Sequence, residues 1–339
     1  MKAPFISEDV LSIHREAIVV DLHVDVILQQ RLFGYDISKK HNPFMRRQPF
    51  IWQADIPRML EGGYTLATLG IHYFPWESKK AWKEVLQQLD YIKKVANNDS
   101  RVVIISNADD IIDAKKNNKL AVIAGLEGAH LLGGDLNKLE ELHSHSILYL
   151  TLTHFSQNTF ATPGLGKGQN KQTPLSSEGK KLIEKLNQLK ILADLAHLNE
   201  RGVLDACSYS SAPVIASHSC AKGYHQNLRG ITDEGLKAIA KTNGVVGVIF
   251  APNFLCGRLN APVRIVAEQM AYIADLIGTE HVAFGSDFDG WIPTIPNDMR
   301  DCRDMPLLTK ELLALGMSHS EIIAILGGNV LRVLRTIRG

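Results

Sequence analysis

Eight short apolar runs recur along the chain, and most are continuously apolar rather than alternating. They are Ala17–Asp21, Tyr64–Tyr73, Ala121–Leu126, Ile147–Thr153, Ile191–Leu195, Pro213–Ser217, Gly244–Phe250 and His281–Ser286. A strand with one wet face alternates polar and apolar residues, whereas a strand covered on both faces need not. Between most of these runs lie stretches with helical period. Glu77–Val95 brings Trp82, Val85, Leu86, Leu89 and Ile92 to one face. Ser177–Leu189 and Val263–Ile277 share that period, and Gly278 is placed to end the latter. Ser318 and Glu321 have the spacing of a capping box ahead of Ile322, Ile323, Ile325 and Leu326. Doubly covered strands alternating with helices predict an α/β fold, a parallel (β/α)8 (TIM) barrel. With 339 residues and no short repeat, low-complexity tract or clear linker, residues 1–339 are expected to form one domain. A doubly wound open sheet is the alternative, weakened by the lack of a glycine-rich phosphate loop after the first strand. Two long polar stretches, Ile27–Trp52 and Ser156–Ser176, follow the first and fourth strands and would hang over the C-terminal face of the barrel.

A net charge of +1 offers no broad field for nucleic acid or an anionic membrane. The four cysteines, Cys207, Cys220, Cys256 and Cys302, are scattered without a CxxC pair, as expected of reduced thiols in the cytoplasm. The stretch MKAPFISEDV lacks the apolar segment of a signal peptide, no run is long enough to span a bilayer, and the closing VLRVLRTIRG reads as a basic helix end. A cytoplasmic protein with neither a membrane nor a nucleic-acid partner is expected.

Chemistry concentrates where the apolar runs end. The first run leads into His23 and Asp25, which strand alternation would point the same way. The third leads into GLEGAH with Glu127, the fourth into His154, the fifth into Asp194 and His197, the sixth into His218, and the eighth into Asp287 and Asp289. A lone histidine there is more often a packing residue than a ligand, and an aspartate can simply shape a turn. Glu127, among apolar and small residues, needs a partner if buried. A barrel carries all these ends to one rim, so scattered positions would form one cluster. The other histidines are read as structural: His14, His41, His143, His145, His225 and His319 on surfaces or helices, and His72, His130 and His281 near strands. The donor types suggest two metals, one on His23 and Asp25, one on His197 and His218, with Glu127 bridging ions ~3.5–4 Å apart. Histidine and carboxylate without cysteine favour Zn²⁺, with Mn²⁺, Co²⁺ or Fe²⁺ as substitutes.

The ordered set DLHVD, GLEGAH, YLTLTH, ADLAHLN, VIASHS, LRGITDE and GSDFDG resembles the membrane (renal-type) dipeptidases, peptidase family M19, among the amidohydrolase-like metal-dependent barrels. The likeness runs from about Asp21 to the closing GGNVLRVL and takes in QADIPRMLEGG. It implies that His23 and Asp25 bind one metal, that His197 and His218 bind the other, and that Glu127 bridges them. His154 would bind substrate and stabilise the oxyanion. Arg229 would grip the C-terminal carboxylate of a dipeptide, a task that suits a guanidinium fork. Asp287 would shuttle a proton from the bridging water to the leaving amine, with Asp289 behind it. The sequence departs from the commoner wording at Val24 (often Asn), Ala196 (often Ser) and Gly230 (often Asn); none of these removes a ligand, though Gly230 bears on the setting of Arg229. The secretory and lipid-anchor segments of the animal enzymes are not found here, and a homodimer is implied by resemblance alone.

Three functions are therefore weighed. One is a dipeptidase using hydroxide bridging two Zn²⁺ ions, including on dipeptides with a C-terminal D-residue. Another is a related metal hydrolase of a cyclic amide, lactone or phosphoester. The third is a non-catalytic barrel that binds a metal or an amino-acid derivative, against which an intact Asp287 speaks.

Overall fold

The computed structural model describes residues 5–42, 49–75 and 78–339. The first four residues, part of the Ile27–Trp52 stretch and Glu77 at the start of the predicted helix lie outside the described residues. Nine strands are present among these: β1 Val20–Val24, β2 Leu66–Ile71, β3 Val102–Ile104, β4 Leu120–Leu126, β5 Tyr149–Thr151, β6 Leu192–Asp194, β7 Ile215–Ser219, β8 Val245–Val248 and β9 Val282–Phe284. All pair in parallel, in the order β2-β1-β9-β8-β7-β6-β5-β4, and β2 also pairs with β4 from Leu66↔Ala121 to Ile71↔Leu126. That second pairing closes eight strands into a (β/α)8 barrel, with no open edge in the ring.

The eight barrel strands fall within or across the eight apolar runs; β7 extends past its run, so His218 lies inside the strand. β3 was not foreseen. It is only three residues long and pairs with Leu120–Val122 of β4, along the edge that β5 joins further on at Gly125 and Leu126. So short a strand outside the ring leaves no pattern distinct from a loop.

Apolar side chains form two layers. One lies between barrel and helices and includes Val85, Leu89 and Ile92 of the Ser78–Asn98 helix, with Trp82 and Leu86 packed against it. The other draws a residue from every barrel strand, including Val20, Leu66, Ala121, Tyr149, Leu192, Ile215, Val245 and Ala283, together with Val330, Leu331, Val333 and Leu334 of the last helix, Asn329–Arg338. A cluster shared by all eight strands fills the barrel interior. The last helix closes the barrel's N-terminal end: the Arg332 guanidinium donates to the carbonyls of Asn243 and Glu280, both at 2.8 Å, just before β8 and β9. The basic helix end read from the sequence is thus a plug, and chemistry is left to the opposite face. The predicted capping box of Ser318 and Glu321 forms ahead of the His319–Ile323 helix, and Gly278 ends the Arg264–Ile277 helix with φ 98°. No helix among the described residues is long and apolar enough to cross a membrane.

Candidate active site

At the C-terminal ends of the strands, the predicted residues converge on one carboxylate. Glu127 Oε1 lies 2.9 Å from His197 Nε2, 3.2 Å from His218 Nε2, 3.5 Å from His154 Nε2 and 3.8 Å from His23 Nε2. His23 Nε2 is 3.3 Å from Asp25 Oδ1 and 3.9 Å from Asp287 Oδ1. The Arg229 guanidinium stands at the edge, with Nη2 2.9 Å from His197 Nε2 and donating to the His218 carbonyl at 3.0 Å. All eight residues are brought together, and Asp289 stands behind them.

His23 and Asp25 meet by a route that differs from simple strand alternation. The register of β1 against β2 slips between Asp21 and Val24. Asp25 has already left the strand, with φ −92° and ψ 23°, at the start of the Val26–Phe33 helix. Its N–H donates to the Phe288 carbonyl at 2.8 Å, which ties it to the loop after β9. That loop is tightly turned: Asp287, Asp289 and Trp291 all have positive φ, near 61°, 67° and 60°, a conformation that costs non-glycine residues energy and tends to persist where function needs it. Asp289 holds the loop in place, its carboxylate accepting from the N–H groups of Gln53 (2.7 Å) and Ala54 (3.0 Å).

Two histidines have their ring protons assigned by neighbours. The Tyr149 hydroxyl donates its one proton to the Leu22 carbonyl at 3.0 Å. It therefore accepts from His23 Nδ1, 2.6 Å away. Ser217 likewise donates to Asp194 Oδ2 at 2.7 Å and so accepts from His218 Nδ1 at 2.9 Å. Asp194 also accepts from Thr151 Oγ1 and from the Ser217 and Ala196 N–H groups. In each case Nδ1 keeps a proton and Nε2 is turned to the cluster, as second partners of metal-binding histidines do. Space for this is made by glycine. A Cβ on Gly125 would come within 2.2 Å of the Tyr149 ring, and one on Gly70 within 2.1 Å of Asp25 Oδ1. Tyr149, Ser217 and Gly70 were not singled out from the sequence, because each gains its part only from a partner on another strand.

The electrostatics describe a cation site. Burial, and then the charge of Asp25, push the Glu127 carboxyl well above its ordinary range, and the same causes raise Asp287 to about 8. Although burial opposes charging His23, the carboxylates of Asp25, Glu127 and Asp287 hold it up at about 10. Burial, reinforced by Arg229 and neighbouring imidazoles, pushes His197 and His218 well below the usual histidine range, so they are neutral. His154 is lowered in the same way, by burial and then by His72. A proton on His23 thus sits among three carboxylates where a metal cation would replace it. His23 Nε2 and Asp25 Oδ1 are buried without hydrogen-bond partners. The sets His23–Asp25–Glu127 and Glu127–His197–His218 each gather their donor atoms within 4.8 Å. Imidazole and carboxylate donors suit a divalent transition metal, so the residues fit the metals expected of them.

The cluster floors a cleft of about 360 Å³, at the small end for ligand pockets, walled by Leu28, Phe74, Phe155, Phe254, Trp291 and Ile292 among others. His72, read as structural, also lines it, edge-on to His154 with ring centres 4.5 Å apart. His130 Nε2–H instead donates to the Tyr73 carbonyl at 2.8 Å, and His281 Nδ1–H donates to the Gly244 carbonyl at 2.8 Å at the barrel's other end.

The family profile described as "Membrane dipeptidase (Peptidase family M19)" matches residues 7–339. Dipeptidase 3 of Mus musculus is 30% identical over 340 residues, covering 98% of this chain and 67% of its own length. An uncharacterised dipeptidase of Schizosaccharomyces pombe is 35% identical over 259 residues, 74% of this chain and 62% of its own. Among solved structures, a metallo peptidase from Rhodobacter sphaeroides liganded with a phosphinate mimic of the dipeptide L-Ala-D-Ala superposes with TM-score 0.83 at 25% identity, covering 95% of this chain and 99% of the other. A dipeptidase of family M19 superposes equally well, at 26% identity over 95% and 99% of the two chains.

Proposed function

The chain belongs to the membrane dipeptidase family, peptidase family M19, and is a metallodipeptidase of that family; from this and its site we propose that it hydrolyses the peptide bond of free dipeptides, including L-Xaa-D-Xaa substrates. One observation carries the reading. A guanidinium with a free nitrogen stands beside a cluster of metal-type donors: Arg229 Nη1 is buried without a partner, while Nη2 touches His197 Nε2 at 2.9 Å. A substrate carboxylate held there lies within one residue's reach of the cluster, which suits a dipeptide rather than a long peptide. The Rhodobacter relative with its L-Ala-D-Ala mimic supports acceptance of a C-terminal D-residue.

His23 and Asp25 would hold one metal and His197 and His218 the other, with Glu127 touching both. Two divalent ions, Zn²⁺ by donor type, would supply Lewis acidity at the carbonyl and a hydroxide nucleophile at neutral pH. The remaining work falls to the chain. Arg229, its Nη2 anchored to the His218 carbonyl, fixes the C-terminal carboxylate with a charge-assisted hydrogen bond. His154, neutral and partly open to the cleft, would present its ring where charge develops on the scissile carbonyl oxygen. Asp287, on its strained loop, takes a proton released in the attack and returns it to the leaving amine. Among the described residues, Arg229 is the one arginine or lysine lining the cleft, which disfavours a polyanion.

Hydrolysis of a panel of L-Xaa-L-Xaa and L-Xaa-D-Xaa dipeptides, with tripeptide controls, before and after chelation and Zn²⁺ restoration, tests the proposal. Chelator-sensitive cleavage of dipeptides alone supports it. Metal-loaded protein that cleaves no dipeptide overturns it.

A further inference from the structure

The cleft has two unlike ends, and the ring contacts order them. Arg229 touches His197; the His197 ring lies 4.5 Å from that of His154; and His154 lies 4.5 Å from His72, whose ring meets Phe74 edge-on at 5.5 Å. His72 and Phe74 are thus at the end remote from the carboxylate-binding guanidinium. Leu28 follows Asp25 by one helical turn, and Trp291 follows Gly290, which packs against Asp25 and Asp287; both side chains line the cleft.

The remote end is apolar and aromatic. Phe74 is fixed from outside the cleft by Arg31, whose guanidinium packs over the Tyr73 and Phe74 rings at 4.8 and 5.3 Å. Trp291 is half exposed at the mouth, beside an equally open Phe50 at 6.4 Å. The His72 ring has no hydrogen-bond partner among the described residues. Among the described residues, every charged group lining the cleft, Asp25, Glu127, Asp287 and Arg229, belongs to the cluster or the carboxylate grip, and none of these is left for a charged substrate side chain. The near end differs: it carries Asn253, with its Oδ1 buried and unpartnered, beside Phe254, whose carbonyl is held by Asn227 next to Arg229.

We propose that the end of the cleft walled by Leu28, His72, Phe74 and Trp291 selects a bulky apolar side chain on the N-terminal residue of the dipeptide. This rests on the dipeptidase reading, because Arg229 gives the substrate its direction: with the C-terminal carboxylate at Arg229 and the scissile carbonyl at His154, the first residue projects towards His72 and Phe74. An uncharged wall favours apolar side chains through burial and rejects charged ones that would lose their water without a partner.

The test compares kcat/KM of the metal-loaded enzyme for Phe-Ala, Leu-Ala, Ala-Ala, Lys-Ala, Asp-Ala and the reversed Ala-Phe. Phe-Ala and Leu-Ala should exceed Lys-Ala and Asp-Ala by roughly tenfold to a hundredfold, and Ala-Phe should not share the advantage. Trp291→Ala, at a half-exposed position, and Phe74→Ala should each shrink the Phe-Ala to Ala-Ala ratio, chiefly through KM. Cleavage of dipeptides with no dependence on the first residue, a preference that follows the second residue, or an unchanged ratio in both folded, metal-replete variants would overturn this inference alone. Absence of all dipeptide turnover would overturn it together with the function it rests on.

Discussion

The Tyr149 hydroxyl lies 2.6 Å from His23 Nδ1 while donating its proton to the Leu22 carbonyl. A phenol on one strand thereby determines which nitrogen of an imidazole on another is left to face Glu127. Tyr149→Phe removes that acceptor with little change of shape. The affinity of the site built on His23 and Asp25 should fall about 10- to 100-fold, read by chelator competition, while the site built on His197 and His218 keeps its affinity. Equal weakening of both sites would refute the assignment.

Gly70 makes the same point by volume. An added Cβ would meet Asp25 Oδ1 at 2.1 Å and the His23 ring at 2.9 Å. Gly70→Ala should push this pair apart and cut metal content towards one ion per chain, measured by elemental analysis of folded protein. Retention of two ions would show that the pair has room to shift.

Among the described residues, Glu127 is the one carboxylate within 4 Å of four imidazole nitrogens. Glu127→Gln keeps the shape and loses the charge. Bound metal should drop below wild type and dipeptide turnover should fall by orders of magnitude. A folded variant with both metals and full turnover would remove Glu127 from the mechanism.

Arg229→Ala should raise KM for dipeptides roughly 10- to 100-fold, the cost of a charge-assisted contact of about 1.5–3 kcal/mol. A dipeptide amide, lacking the carboxylate, should be affected much less. Equal loss on both substrates would point to a general disturbance, since Arg229 also supports the His218 carbonyl.

His14 ties stability to pH far from the active site. Its Nε2–H donates to the Gly62 carbonyl at 2.9 Å, and its Nδ1 accepts from Thr309 Oγ1 at 2.8 Å. Burial lowers its pKa from 6.5 to about 4. Below pH 6.5 the unfolded chain takes up a proton that the folded chain refuses. The contribution is therefore full above pH 6.5, declines as pH falls towards 4, and reaches a loss of about 3 kcal/mol there. Urea unfolding of metal-free wild type and His14→Gln across this range should show the stability gap between them narrowing as pH falls. A constant gap would exclude His14 as the source.

The eight strands were legible because burial on both faces leaves a continuous apolar run, and the capping box of Ser318 and Glu321 was legible because it is local. The cluster could be anticipated because the barrel collects strand ends, so His23, Asp25, Glu127, His154, His197, His218 and Asp287 were legible at the ends of apolar runs, whereas Arg229 was named only through the family resemblance. His72 was not, since an aromatic ring at a strand end looks the same whether it packs or lines a cleft. His14 shows the converse: it lies on a helix as read, but on the face turned inward.

By itself, then, the sequence determined the barrel and the donor set, because residue type and spacing along one strand decide burial and ligand chemistry. Only the tertiary structure decided which nitrogen of His23 and His218 faces the cluster, how the turn at Asp25 completes it, and which end of the cleft lies opposite Arg229. Those depend on Tyr149, Ser217, Gly70 and Phe288, residues distant along the chain that become partners only when the ring of strands closes.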